Sequence, residues 1–154
     1  MERAKLNFPD ITLRCKEGSS PDSASLQVWD ELRHIYIVLT PEEWVRRHVV
    51  GFLKDHLRVP PTQILVEFPV RLNGQMQRAD VVVVGGDLAP RLLVECKASE
   101  VKLSQSTLDQ VVRYNSIVGA KYVMLTNGLS HHIYERLDSS GGYKPLKNLP
   151  EDLL

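Results

Sequence analysis

The chain has 154 residues, 43% of them hydrophobic and 25% charged, which is the balance of one ordinary globular domain with a buried core. No apolar run approaches the roughly 18 residues that cross a bilayer, and the N-terminus lacks the apolar segment of a signal peptide, so we expect a cytoplasmic protein without a membrane partner. The 19 basic and 19 acidic residues leave zero net charge, which argues against coating nucleic acid by bulk charge but permits local contacts to a few phosphates.

The first 40 residues are expected to form an extension of strand and loop. Residues 8–14 have the composition of a strand start, and residues 16–23 are rich in chain breakers and polar side chains, as loops are. A β-rich stretch over residues 34–39 ends at Thr40. We divide the single predicted domain into three parts, which are an N-terminal extension, a core and a C-terminal tail over residues 1–40, 41–137 and 138–154.

A helix is predicted to begin at Thr40-Pro-Glu-Glu, where threonine is the N-cap, proline takes the first helical position and two acids occupy the first turn. It should run to about Leu57, before Pro60-Pro61. Its apolar stripe consists of Val45, Val49, Phe52 and Leu53.

The apolar runs then predict three strands over residues 64–72, 79–84 and 91–97. Asn73-Gly74 and the Gly/Pro-containing loop 85–90 separate them. A second helix over residues 104–118 should stop at Gly119, and two more strands follow over 122–126 and 132–137. Residues 139–154 are expected to be turn and tail. The αβββαβ order predicts an α/β fold with a mixed central sheet flanked by helices.

The third of these strands ends in charged residues. After Leu92-Leu-Val, Glu95 and Lys97 lie two residues apart and therefore share one face of the strand. Burying such charges is costly unless they pair with each other or bind a metal ion. An ion pair at a strand end and a functional pair are both consistent with the residues.

Asp80 favours the functional interpretation. It precedes four valines, and the short loop after them makes its strand a near neighbour of the strand that carries Glu95. Two carboxylates converging at one end of a sheet form an oxygen site suited to Mg²⁺ or Mn²⁺. The alternative for Asp80 is a structural role in fixing the chain after Arg78. Cys96, between the two charges, should point to the core and is not expected to be a nucleophile.

The second helix contributes Gln110 and Tyr114, which are four residues apart and share a face with Val111 and Val118. A helix that packs this stripe on the sheet would carry Gln110 at its rim. We expect both packing and a position for Gln110 that points to the acids.

Other chemistries have no support in the sequence. There is no phosphate-binding Gly-x-x-x-x-Gly-Lys-[Ser/Thr] loop and no Gly-x-Ser-x-Gly nucleophile elbow. The histidines lack zinc-ligand spacing, and the two cysteines, Cys15 and Cys96, indicate neither a disulfide framework nor a zinc site.

The ordered set Asp80, Glu95-Cys-Lys97 and Gln110 to Tyr114 resembles the PD-(D/E)XK nuclease superfamily, in its Gln-x-x-x-Tyr branch. Over about residues 28–128 the chain also resembles the N-terminal domain family of type I restriction enzyme R subunits. The segments that carry this resemblance are Trp29-Asp-Glu-Leu-Arg, Leu39-Thr-Pro-Glu-Glu-Trp-Val-Arg, Leu92-Leu-Val-Glu-Cys-Lys-Ala, Asp109-Gln-Val-Val-Arg-Tyr-Asn and Leu125-Thr-Asn-Gly. The resemblance implies a restriction-endonuclease-like core.

The resemblance also implies the roles of the site residues. Asp80 and Glu95 would hold Mg²⁺ or Mn²⁺, together with the backbone carbonyl of Cys96. Lys97 would position the attacking water and stabilise negative charge, while Gln110 and Tyr114 would orient the site or the substrate phosphate. The implied activity is metal-dependent hydrolysis of phosphodiester bonds in DNA, as in an endonuclease.

The family also uses a glutamate on the first helix, for which the chain offers Glu42 and Glu43. We favour Glu42 for the site because it borders the buried stripe, and Glu43 for a capping box with Thr40. Three arginines are candidates for contacts to flanking DNA phosphates, although a solvated helix face explains each one singly; they are Arg46, Arg47 and Arg113.

A restriction R subunit continues into an ATP-driven translocase, and these 154 residues contain no such motor. Translocation is therefore not expected of them. With DNA as its partner, the domain would act alone, as a homodimer, or as a subunit of a restriction or repair complex; the remaining alternative is that it is a remnant of a larger enzyme. The alternative function is a catalytically silent nuclease-like module that binds DNA or protein.

Overall fold

The computed structural model describes residues 3–18, 25–138 and 141–154. The N-terminal part forms a three-stranded antiparallel sheet of β1 (Cys15–Glu17), β2 (Leu26–Asp30) and β3 (Ile35–Val38). The predicted strand over residues 8–14 is wrong, because that segment has no regular structure and β1 begins at Cys15. The sequence did not predict β2. The loop predicted over residues 16–23 is β1 at its first two positions and lies outside the described residues from 19 onward.

Helix α1 (Pro41–Asp55) confirms the predicted start at Thr40, whose hydroxyl oxygen accepts the Glu43 backbone N–H at 3.0 Å. The helix ends at Asp55, two residues earlier than expected, and Arg58 then takes a left-handed backbone conformation with φ 58°. A 3₁₀ turn, Pro61–Gln63, leads into the central sheet. The helix is buried at eight of its fifteen positions, which is more than the predicted stripe.

The central sheet has six strands that lie side by side in chain order: β4 (Ile64–Leu72), β5 (Gln75–Val84), β6 (Pro90–Cys96), β7 (Tyr122–Thr126), β8 (His131–Arg136) and β9 (Tyr143–Leu146). Among these strands β6 and β7 pair parallel and the other neighbours pair antiparallel, which confirms the predicted mixed sheet. Strand β5 begins four residues earlier than predicted. Strand β9 lies where turn and tail were expected, and its pairing with β8 extends the sheet.

Helix α2 (Gln105–Val118) makes the crossover that the parallel pair requires. Ser104 forms a capping box with Thr107 at its start, and Gly119, at φ 75°, ends it in the left-handed conformation that glycine adopts without strain. No helix within the described residues combines the length and the apolarity needed to cross a bilayer.

The sheet is sandwiched between the two helices. Val81, Val83 and Val94 pack on the α1 side, whereas Val82 and Leu93 pack on the α2 side. All five are fully buried, which explains the unbroken apolar runs in β5 and β6. Each such side chain contributes about 1.5–3 kcal/mol by burial, so this core tolerates charged groups at the strand ends.

One irregularity interrupts the pairing of β4 with β5. Val66 pairs with Val81 and Phe68 pairs with Ala79, but Glu67 and Asp80 between them do not pair. Glu67 has φ 55°, a conformation that is uncommon for a residue with a side chain. Asp80 therefore lies at a break in the regular pleat of the sheet.

Candidate active site

Asp80 lies where the β5–β6 pairing ends. The ladder of the two strands reaches Val81 and Val94, so Asp80 and Glu95 are the next residues across from each other. The Cys96 backbone N–H donates to Asp80 Oδ2 at 2.7 Å, in place of a backbone carbonyl. The structure thus brings Asp80 to the end of β6 that carries Glu95, as the sequence indicated.

The Glu95 carboxyl is buried, with 6% of the residue exposed. Burial, followed by the charge of Asp80 and a side-chain hydrogen bond with Asp80, raises the pKa of Glu95 to about 10, while Lys97 acts in the opposite direction. Glu95 is therefore protonated at neutral pH when no metal is bound. Its Oε2 atom is buried and has no hydrogen-bond partner among the described residues.

Lys97 is connected to α2 by a series of long contacts. Its Nζ donates to Gln110 Oε1 at 3.4 Å, and Gln110 Nε2 donates to the Tyr114 hydroxyl at 3.3 Å. The Tyr114 hydroxyl in turn donates to Gln77 Oε1 at 3.5 Å, at the outer limit of a hydrogen bond. The Lys97 backbone N–H is anchored more firmly, at 2.8 Å from the Thr126 carbonyl. The structure therefore brings Lys97, Gln110 and Tyr114 together beside Glu95.

Glu42 lies at the solvent-exposed rim of the site. Desolvation, followed by the charge of Asp80, raises the pKa of Glu42, and Lys97 lowers it. These interactions place its carboxylate within electrostatic reach of two of the predicted site residues. The structure thus brings Glu42 to the site side of α1.

Glu43 does not have the capping role that the sequence suggested. Its backbone N–H donates to Thr40, but the Thr40 N–H donates to the Val38 carbonyl at 3.0 Å, so the capping box is half formed. The Glu43 carboxylate is buried and pairs with Arg46 and Arg47 instead. Two buried guanidinium groups are stronger partners for a carboxylate than one backbone N–H.

Both interpretations of Arg46 and Arg47, as phosphate contacts and as a solvated helix face, are wrong. Arg46 Nη1 lies 2.9 Å from Glu67 and 3.6 Å from Asp80 Oδ1. Arg47 Nη1 lies 3.2 Å from Asp30, which is fully buried. Both guanidinium groups turn inward because buried carboxylates need counter-ions. Arg113, by contrast, is exposed, and its contact to DNA phosphate stays a prediction.

The sequence missed Asp30 and Glu67, which complete this charge network. The signal available in the sequence was the position of Arg46 and Arg47 between the stripe residues Val45 and Val49 of α1. A charged residue in that position must either extend to solvent or find a buried partner. The partners themselves lie on other elements and could not be identified from the helix alone.

The fit of a divalent ion rests on Asp80 and Glu95. No group of three or more His, Cys, Asp or Glu side chains in the described parts of the chain is arranged as a metal cluster. Mg²⁺, however, is commonly held by one or two carboxylates and several waters. Glu95 Oε2, without a hydrogen-bond partner among residues 3–18, 25–138 and 141–154, supplies an oxygen next to Asp80, so the donor set fits this kind of ion. The Cys96 thiol is fully buried on the α1 side, and burial raises its pKa well above the usual value, as expected for an inert side chain.

Residues 41–150 match the family model of the type I restriction enzyme R protein N terminus (HSDR_N). The chain belongs to this family. The match begins at the first residue of α1 and includes every candidate site residue from Glu42 to Tyr114, together with β9. The R-subunit resemblance seen in the sequence is thereby confirmed.

A solved relative of this restriction R-protein domain is a fragment of a putative HsdR subunit of a type I restriction enzyme from Vibrio vulnificus YJ016. The two structures agree with a TM-score of 0.52 and 26% sequence identity over 73% of this chain. The match covers 24% of the Vibrio chain, so this chain spans about a quarter of the length of that relative. Comparison with curated proteins gave no match.

Proposed function

We propose that this restriction R-protein domain is a metal-dependent DNA nuclease that hydrolyses phosphodiester bonds with Mg²⁺ or Mn²⁺ held by Asp80 and Glu95. The observation that carries the proposal is the buried Oε2 atom of Glu95, which has no hydrogen-bond partner in the described parts of the chain and lies beside a second carboxylate. Membership in a restriction enzyme family supports DNA as the substrate.

The two acids favour a bound cation on electrostatic grounds. Without one, Glu95 is protonated, because its burial and then the charge of the neighbouring Asp80 carboxylate disfavour the ionised form. A protein that needed only structural stability would be better served by an apolar residue at this position of β6. Retaining a buried acid with a free oxygen is the expected arrangement for a site that exchanges its proton for a metal ion.

When bound, the ion would polarise the phosphate and lower the pKa of a coordinated water. The side chains supply the remaining functions. Lys97, directly after the last residue of β6, presents an ammonium group near Glu95, where it would stabilise negative charge that develops on the phosphate oxygens. Gln110 contacts that ammonium group and limits its motion, while Glu42 at the rim would accept a proton or a hydrogen bond from water.

The second candidate is a catalytically silent module that binds DNA or protein. The observation that favours it is the inward orientation of Arg46 and Arg47, which removes two cations from the surface that would face DNA. Under either function the domain would act as a homodimer or a subunit of a restriction or repair complex, with DNA as the substrate of the nuclease and DNA or protein as the partner of the silent module.

A cleavage assay separates the two functions. Linear, circular and branched DNA would be incubated with the protein and Mg²⁺, Mn²⁺ or EDTA, beside Asp80→Asn and Lys97→Ala variants. Lys144→Ala is the control, because Lys144 is exposed on β9, three strands away from β6. Cleavage that requires metal, is lost in both site variants and persists in the control supports the nuclease. Intact DNA under every condition, with retained binding, would refute it in favour of the silent module.

A further inference from the structure

A chain of buried charges runs through the protein toward Asp80. It starts at Asp30 at the end of β2 and alternates in sign through Arg47, Glu43 and Arg46. The first four members are at most 8% exposed. The chain thus joins the N-terminal sheet to the candidate active site through the buried side of α1.

Both oxygens of Asp80 are engaged in this structure. Oδ2 accepts the Cys96 N–H at 2.7 Å, and Oδ1 lies 3.6 Å from Arg46 Nη1. The first contact is a short hydrogen bond, whereas the second is an ion pair longer than a hydrogen bond. The backbone of β6 therefore fixes one oxygen of the carboxylate, and the charge of Arg46 faces the other, while the Glu95 carboxyl contacts the same carboxylate.

Arg46 is itself restrained. Its Nε donates to Glu43 Oε2 at 3.0 Å, and its Nη1 donates to Glu67 Oε1 at 2.9 Å. Glu43 in turn is paired with Arg47 at 2.9 Å. Because these partners hold it on two sides, the guanidinium group stays beside Asp80 instead of extending into solvent.

We propose that Arg46 is a positioning residue of this site: it is the resident counter-ion that orients Asp80, and its charge weakens the binding of a divalent metal ion there. The orienting role of Arg46 is supported by the contacts of the metal-free structure alone. The part on metal affinity rests on the proposed function. A guanidinium group next to a metal-binding carboxylate repels the incoming ion, so the ion must bind against that repulsion.

The matched pair of variants is Arg46→Met and Arg47→Met. Both remove one buried guanidinium group of the same network, but among the described residues Arg47 pairs with Asp30 and Glu43 and not with Asp80. A merely structural role would therefore give the same result for both. Arg46→Lys, which keeps the charge but loses the planar fork, replaces Arg46→Met if that variant does not fold.

The metal-free readout is the Cys96 amide proton, followed by nuclear magnetic resonance with EDTA present. Removing Arg46 should free Asp80, weaken its hydrogen bond to the Cys96 N–H, shift that proton upfield and speed its exchange. Arg46→Lys should give a smaller change in the same direction. An amide signal that is unchanged, or that moves equally in Arg47→Met, overturns the orienting role.

The second readout is Mn²⁺ affinity, measured by titration calorimetry without DNA. Arg46→Met should bind Mn²⁺ about tenfold more tightly, as expected when a unit charge about 6 Å from a divalent ion is removed in water. Arg47→Met should bind as the unaltered protein does. Unchanged or weaker binding by Arg46→Met overturns the repulsion. If the unaltered protein binds no Mn²⁺, the proposed metal site fails, and the amide readout still decides the orienting role.

Discussion

Asp80 on β5 accepts the backbone N–H of Cys96 on β6 at 2.7 Å. The contact fixes a carboxylate at the point where the ladder of the two strands stops, and it leaves Glu95 as the neighbour of Asp80 across the strands. This hydrogen bond thus holds the Asp80 carboxylate at the end of β6 that carries Glu95.

This bond distinguishes two substitutions of Asp80. The amide oxygen of Asp80→Asn can still accept the Cys96 N–H, whereas Asp80→Ala leaves that donor unsatisfied in a buried strand. We expect Asp80→Ala to lower the free energy of unfolding by about 1–3 kcal/mol more than Asp80→Asn. Urea unfolding with EDTA measures the difference, and equal stability of the two variants would show that the bond does not hold the strand end.

The raised pKa of Glu95 predicts a pH dependence of the metal-free protein. Below the unfolded value of 4.5, both states carry the proton; as pH rises toward about 10, the unfolded state loses it first, so folding stability falls. The slope is at most about 1.4 kcal/mol per pH unit. Urea unfolding in EDTA should show this decline between about pH 5 and 9.

Glu95→Gln is the control for that titration, because the amide cannot ionise. Its stability should stay flatter over the same pH range and exceed that of the unaltered protein at alkaline pH. A decline of equal slope in both proteins would assign the titration to another group.

Lys97 and Gln110 should contribute to cleavage to different degrees. Lys97→Ala should lower the single-turnover rate by about 100- to 1,000-fold, as the loss of a group that stabilises developing charge does. Gln110→Ala should cost about tenfold, because Gln110 acts through Lys97 at 3.4 Å. Gln105→Ala is the matched control on α2, since Gln105 is exposed and contacts Asp109. If Gln105→Ala lowers the cleavage rate as much as Gln110→Ala does, the loss comes from disturbing the helix and not from the site.

Asp30, at the buried end of the charge network, should contribute to the stability of the fold. Asp30 accepts the N–H groups of Leu32 and Arg33 and pairs with Arg47, so Asp30→Ala should cost about 3–5 kcal/mol of the free energy of unfolding. The neighbouring Glu31 forms an exposed ion pair with Lys54 at 2.7 Å, and Glu31→Ala should cost less than about 1 kcal/mol. Similar losses in the two variants, measured by urea unfolding, would contradict the role of burial.

The sequence predicts the central elements because their signals are local. The apolar runs of β4, β6 and β7, the turn at Asn73-Gly74 and the glycine after α2 each follow from a few consecutive residues. Strands β2 and β9 have partly exposed residues and depend on pairing with a neighbouring strand, so their own residues give a weak signal.

The candidate site likewise has some features that follow from the local sequence and others that do not. The proximity of Asp80 to Glu95 follows from a short connection between two apolar strands, and the position of Gln110 follows from helical spacing. The orientation of Arg46 does not follow from α1, because its partner Glu67 is placed by a left-handed backbone conformation at φ 55° on β4. Predicting that these arginines face inward therefore requires knowledge of the tertiary structure.

The most direct test of the metal site is a crystal structure with Mn²⁺, in which anomalous scattering locates the ion. We expect one strong peak within about 2.0–2.6 Å of carboxylate oxygens of both Asp80 and Glu95, with Glu95 Oε2 among the ligands. In Glu95→Gln crystals grown and soaked in the same way, the peak should be lost or much weaker. Mn²⁺ bound elsewhere, or the absence of a peak between these two residues at saturating Mn²⁺, would contradict the proposed metal centre.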